Sequence, residues 1–285
     1  MAFHTRSNSF PSRPHPVLQE VDELLCRLRS SEATSASSSS ISHKLSGLQD
    51  LHDCVDRLLQ LPLTQQALAQ VQNEKWANEL LDGSLRLLDV SSSAKDALLQ
   101  TKECVQDLQS IMRRRRGSES GALTTEVRKY LTSRKMVKKA IQKAMKNLKG
   151  TENRSTFSSL NKDDETFSVV SKLREVEAIT LAVFESLLSF ISGPKSQPSS
   201  WSLVSKMMQS KKVACEEATE INEFAEVDAA LNSLIRHKAS KPSADDAHNQ
   251  LDQLESCIQD QEEGLECLFR QMIKTRVSLL NILNH

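Results

Sequence analysis

Glycine and proline are both scarce, seven of each in 285 residues. A chain so poor in turn-forming residues does not read as a many-stranded sandwich or barrel. Aromatic residues make up only 4%, with a single tyrosine. That shortage removes the stacked rings on which single-stranded nucleic acid lies. With so few glycines there is no Gly-x-Gly-x-x-Gly and no Gly-x-x-x-x-Gly-Lys, so no loop for cradling phosphates is legible. Gly-x-Ser-x-Gly and His-Glu-x-x-His are missing too. The histidines, His4, His15, His43, His52, His237, His248 and His285, are scattered, and the nearby pair His52 and Cys54 points to different helix faces. No catalytic residue, metal or other cofactor is expected from these patterns.

Paired cysteine motifs are also absent. Cys26, Cys54, Cys104, Cys215, Cys257 and Cys267 are dispersed, without a Cys-x-x-Cys. No apolar stretch of the secretory kind follows the start. The expectation is six reduced thiols, several of them packed as small core residues, in an intracellular and reducing compartment. Long apolar runs are missing as well. The nearest, Ala178 to Pro194, sits at the short limit of about 17 residues for a span. It carries Glu185 midway and ends in Gly-Pro, so it reads as a buried amphipathic helix.

What is present in abundance is leucine, lysine, glutamate, serine and glutamine, a helix-forming set. Apolar residues recur at three- and four-residue steps in seven segments. The first covers Val17 to Ser31 and the second carries Ile41 to Leu58. Pro62 stops the second, with Thr64 as a cap in the turn that follows. A third, long segment runs from Glu74 to Met112 with a heptad-like stripe in which Gly83 marks a close approach or kink. The fourth covers Leu123 to Leu148, before Gly150. The fifth covers Glu165 to Ser192 and is closed by Gly193-Pro194. The sixth covers Trp201 to His237, and the seventh starts near Asp245.

The seventh segment has the most regular seam: Leu251, Leu254, Ile258, Gln261, Leu265, Leu268, Met272, Thr275, Leu279 and Ile282. The steps alternate between three and four throughout, so the stripe fits along another long helix, with the third segment as the mate. A self-contained bundle is favoured over a coiled coil with a second chain. The expected fold is therefore all-α: an elongated bundle of about seven helices, several of them long, with heptad-like packing seams. Residues 1–16 read as a disordered tail, 17–150 as an N-terminal helical half with a basic helix, 151–164 as a linker, and 165–285 as a C-terminal half packing back on the first.

Net charge is zero, yet its distribution is lopsided. Residues 113–149 hold thirteen Lys or Arg against two acids, a local +11. Residues 213–270 hold four against fourteen, a local −10. Arg113, Arg114, Arg115, Arg116, Lys138, Lys139, Lys143 and Lys146 mark a basic surface beside an apolar stripe. Such a surface either binds an anionic membrane or is matched within the fold. Nucleic acid is disfavoured as a partner, since no DNA- or RNA-reading motif occurs. Near the start, "RSNSFP" matches the pattern that 14-3-3 adaptors bind, with Arg6, phosphorylated Ser9 and Pro11 in the roles of basic, modified and terminal residue.

Six stretches together carry a family resemblance: "FHTRSNSFPSRPHP", "LLQLPLTQQAL", "ELLDGSLRLLD", "LQSIMRRRRG", "VRKYLTSRKMVKKAIQKAMKNLK" and "LFRQMIKTRVSLLNILNH". They span the chain from end to end, and as a set they resemble the plant BYPASS-like family. The resemblance implies a plant-specific helical protein with a role in root and shoot development. It implies no known catalytic reaction, cofactor or catalytic residue, and no small-molecule substrate is expected. It also implies action near the plasma membrane or secretory machinery for some relatives. The function expected is that of a cytoplasmic helical adaptor working through other proteins. The alternative is a peripheral membrane protein held by the basic surface.

Overall fold

The computed structural model describes residues 15–32, 37–69, 75–114, 120–149, 165–193, 222–236 and 241–284. Among them are eight helices and no strands: α1 Pro16–Glu32, α2 Ser38–Leu59, α3 Pro62–Ala69, α4 Lys75–Arg114, α5 Ser120–Lys149, α6 Glu165–Ser192, α7 Glu223–Arg236 and α8 Lys241–Asn284. The all-α bundle with long helices is as the periodicity predicts.

The one additional helix is α3. Pro62 does not merely follow the end of α2; it opens a two-turn helix that buries Thr64, Ala67 and Leu68. Proline lacks the N–H that a first helical residue leaves unused, so the same residue ends one helix and begins the next. At the start of α7 the cap is Asn222, whose Oδ1 accepts from the Ala225 amide at 2.9 Å. The part of the expected sixth segment before Asn222 lies outside the described residues, as do Gly150, the tail 1–14 and the linker 151–164. The final helix begins at Lys241, four residues earlier than Asp245, because Pro242 is tolerated in a first turn.

The core sits around α8, and helix directions can be read from their side-chain pairs. Against α4, the partner of Lys95 is Glu266, of Lys102 Glu262, of Gln106 Glu255 and of Gln109 Asp252. Numbers fall on α8 as they rise on α4, so the two are antiparallel. Against α2, the pairs Ser38–Cys257, Ser42–Gln261, Asp53–Gln271 and Asp56–Ser278 keep a near-constant separation of 218 to 222 residues. Those two helices are parallel. At 44 residues, α8 spans on the order of 66 Å and is walled by α4 on one side and α2 on another. The spacing of its seam anticipates the first neighbour and is silent on the second.

Close approach between α2 and α8 depends on Gly264. A Cβ there would meet Leu45 Cδ1 at 3.3 Å, so the two helix backbones are drawn together where that side chain is missing. Gly83 on α4 has a comparable role facing α6, where an added Cβ would collide with the Glu177 carboxylate. That answers the close-approach expectation for Gly83. The helix α6 ends on Gly193 at φ 72°, its amide donating to the carbonyls of Ser189 and Phe190. One continuous apolar cluster runs from Val21 on α1 through α2, α4, α5, α6 and α7 to Leu283 on α8.

Candidate functional site

The strongest polar feature lies within the basic helix and was missed by periodicity alone. The buried face of α5 reads Val127, Tyr130, Val137 and Ile141, with a seven-residue step in the middle. Arg134 occupies that gap and is only 2% exposed. Its Nη2 donates to the Ile191 carbonyl at 2.8 Å, its Nε to Asp228 Oδ1 at 3.2 Å and its Nη1 to Thr101 Oγ1 at 3.4 Å. The guanidinium also lies 5.1 Å from the centre of the Phe224 ring, a cation–π distance. Lys138 Nζ approaches the other Asp228 oxygen at 2.9 Å. Beside this clasp, Asn222 Nδ2 donates to the Phe190 carbonyl at 3.0 Å. Four helices, α4, α5, α6 and α7, meet here, and a seven-residue step filled by an arginine is the sequence signal that could have found it.

The clasp is chemically quiet. Arg134 and Asp228 neutralise each other. Burial pushes the Tyr130 hydroxyl well above its ordinary range. Elsewhere burial pushes the Cys54 thiol up to about 11 and the Cys257 thiol up to about 12, which keeps both from forming thiolates. His52 is buried against Thr180 Oγ1 at 3.1 Å, and burial lowers its pKa to about 4. Among the described residues no group of three His, Cys, Asp or Glu side chains could hold a metal ion. No helix described is long and apolar enough to cross a membrane.

The charge asymmetry of the sequence divides into matched and unmatched parts. Acids of the second block face α4 in a ladder: Glu266 with Lys95 at 2.5 Å, Glu262 with Lys102 at 2.6 Å, and Asp252 with Arg113 at 3.7 Å. Lys138 turns inward to Asp228. Arg114 folds back on Ser110 Oγ at 2.7 Å. Arg115 and Arg116 lie outside the described residues, as do Arg6, Ser9 and Pro11. Lys139, Lys143 and Lys146 are exposed, and Arg128 and Lys135 join them on the same outer face of α5. No carboxylate among the described residues pairs with any of these five. The eight apolar seam residues Leu251, Leu254, Ile258, Leu265, Leu268, Met272, Leu279 and Ile282 are all buried.

Fold and site together define a class: a helical bundle with a buried arginine clasp at a four-helix junction and with charge displayed on outer helix faces. The chain belongs to the BYPASS-like family, for the family model described as Protein BPS1 matches residues 44–282. It is thereby a member of a plant family of non-catalytic developmental regulators. No curated protein and no solved structure matches the chain.

Proposed function

We propose that this protein is an adaptor acting in root and shoot development through contacts with other proteins, working in the cytoplasm. The observation that carries the reading is the pairing of quiet chemistry inside with a long unpaired charged face outside. His52, Cys54, Tyr130 and Cys257 are enclosed in the bundle, while Arg128, Lys135, Lys139, Lys143 and Lys146 stay exposed on one helix with no carboxylate paired to them among the described residues. Holding five like charges together costs free energy, and an acidic partner relieves that cost. Proximity labelling in root tissue, comparing wild type with a Lys135→Glu/Lys139→Glu/Lys143→Glu variant, tests it. Loss of a defined set of labelled proteins in the variant is the expected result; identical labelling would sink the reading. Phosphorylated Ser9 adds a second contact in this proposal, to a 14-3-3 adaptor, and Ser9→Ala should abolish adaptor pull-down.

A second reading is favoured by Met136, which is 60% exposed beside the cations. An apolar side chain flanked by lysines suits the headgroup region of an anionic membrane, such as the cytoplasmic leaflet of the plasma membrane. Flotation with vesicles containing phosphatidylserine, falling steeply as salt rises, is the expected signature. Equal flotation with neutral vesicles would count against it.

A further inference from the structure

The outer face of α4 carries charge of the opposite sign. Asp82, Asp89, Asp96 and Glu103 recur at seven-residue intervals, and Asp107 follows one turn later. All five are exposed, and none is ion-paired among the described residues. The same face shows Leu85, 46% exposed, and Leu99, 52% exposed. Leu99 stands in a groove of about 570 Å³ between α4 and α8, walled also by Asp96, Glu262, Glu263 and Cys267. The cations bordering that groove, Lys95 and Arg270, are both held by Glu266, at 2.5 and 3.1 Å. Glu262 is held by Lys102, so Asp96 and Glu263 are the groove acids left open, above an apolar floor.

The cationic face of α5 is its counterpart. Arg128 and Lys135 are seven residues apart, as are Lys139 and Lys146, with Lys143 and the exposed Met136 on the flank. Seven residues rise about 10.5 Å on any α-helix, so both faces repeat their charge with one period. From Asp82 to Glu103 the acidic row covers on the order of 31 Å, and from Arg128 to Lys146 the basic row covers on the order of 27 Å. Each face has charge around projecting apolar side chains, Leu85 and Leu99 on α4 and Met136 on α5. Both point outward, so they do not meet within one chain.

We infer that the α5 face of one molecule docks on the α4–α8 groove of a second copy, with Met136 seated near Leu99 and the lysines along Asp89, Asp96 and Glu103. A membrane would engage α5 alone and leave the acidic row with nothing to bind; a second copy satisfies both rows at once. The two surfaces are different patches, so the contact is heterologous. It propagates head to tail, closing only if a ring forms, rather than stopping at a two-fold dimer. This inference goes beyond the adaptor proposal and is independent of which protein the adaptor serves.

Sedimentation velocity on the full chain tests it, at low salt and at about 0.5 M salt, where screening reaches only a few ångströms. Wild type should gain mass with concentration at low salt and return to monomer at high salt. Lys135→Glu/Lys139→Glu/Lys143→Glu and Asp89→Lys/Asp96→Lys/Glu103→Lys should each be monomeric alone, because each then bears like charge on both faces. Mixed in equal amounts, they should reassociate through the exchanged charges. These positions are exposed, and circular dichroism verifies that each variant is folded. A wild type that stays monomeric at low salt overturns the inference. So does association that survives reversal of the α4 row, or a mixture that remains monomeric. Flotation on phosphatidylserine vesicles in a parallel arm identifies the lipid reading: loss with the α5 variant, none with the α4 variant, and no self-association in wild type.

Discussion

Arg134 concentrates the cost of error at a single residue. Its guanidinium reaches a carboxylate, a carbonyl and a hydroxyl on three other helices, a geometry that needs a planar fork. Arg134→Ala would leave Asp228 with Lys138 as its remaining cation and the Ile191 carbonyl without this donor. We expect a loss of about 3–5 kcal/mol, read by urea unfolding. Arg134→Lys should rescue only a small part, since an ammonium cannot hold the three acceptors together. His52 supplies a pH dependence whose sign is fixed. Burial lowers its pKa from 6.5 to about 4, so the unfolded chain binds the proton first. Stability is therefore fully present above about pH 6.5 and is lost as pH falls towards 4, by roughly 3 kcal/mol in all. Melting temperature against pH should show this decline in wild type and a shallower one in His52→Leu. Glu255 and Glu266, held low mainly by hydrogen bonds from Gln106 and Lys95, act in the same direction at lower pH. Glu177, raised by burial, opposes them.

At the scale of the element, α8 is the place to test packing. Leu268 is fully buried in the middle of its seam. Leu268→Ala should cost about 2–5 kcal/mol, and calorimetry on the purified chain would measure it. This seam was also the most legible part of the sequence. A step pattern of three and four fixes a helix and the face it buries, because both follow from the 3.6-residue turn alone. The same arithmetic placed Gly83 on the stripe of α4, and the Gly193-Pro194 pair marked the end of α6. It failed where one residue served two elements, as Pro62 does between α2 and α3. It failed again at Arg134, because a charged residue on an apolar face is invisible to a count of apolar positions. Partner helices distant in sequence were half legible: α4 was named by its matching stripe, whereas the stripe of α2 marks a helix without saying that it runs beside α8. Nor could charge counts along the chain separate Lys138, which pairs inward, from Lys139, which does not.

For the whole molecule, the end of α6 and the start of α7 are joined directly. Gly193 and Asn222 sit on either side of the Arg134 clasp, where Asn222 bonds the Phe190 carbonyl and Arg134 the Ile191 carbonyl. The two helices are thus tied to each other where they meet α5. Asn222→Ala removes both the cap of α7 and the donor to the Phe190 carbonyl, and should cost about 1 kcal/mol, read as a fall in melting temperature by calorimetry.

The parallel pairing of α2 with α8 has a temporal side. Hydrogen bonds between them join residues 215 to 223 positions apart. A ribosome adding about 5–20 residues per second takes on the order of 10–40 s to make that span. For all that time the greasy side of α2 waits for a strut not yet synthesised. Newborn chains must therefore be shielded by chaperones or by provisional hairpins such as α1–α2, and slowing translation before α8 should raise the share that aggregates.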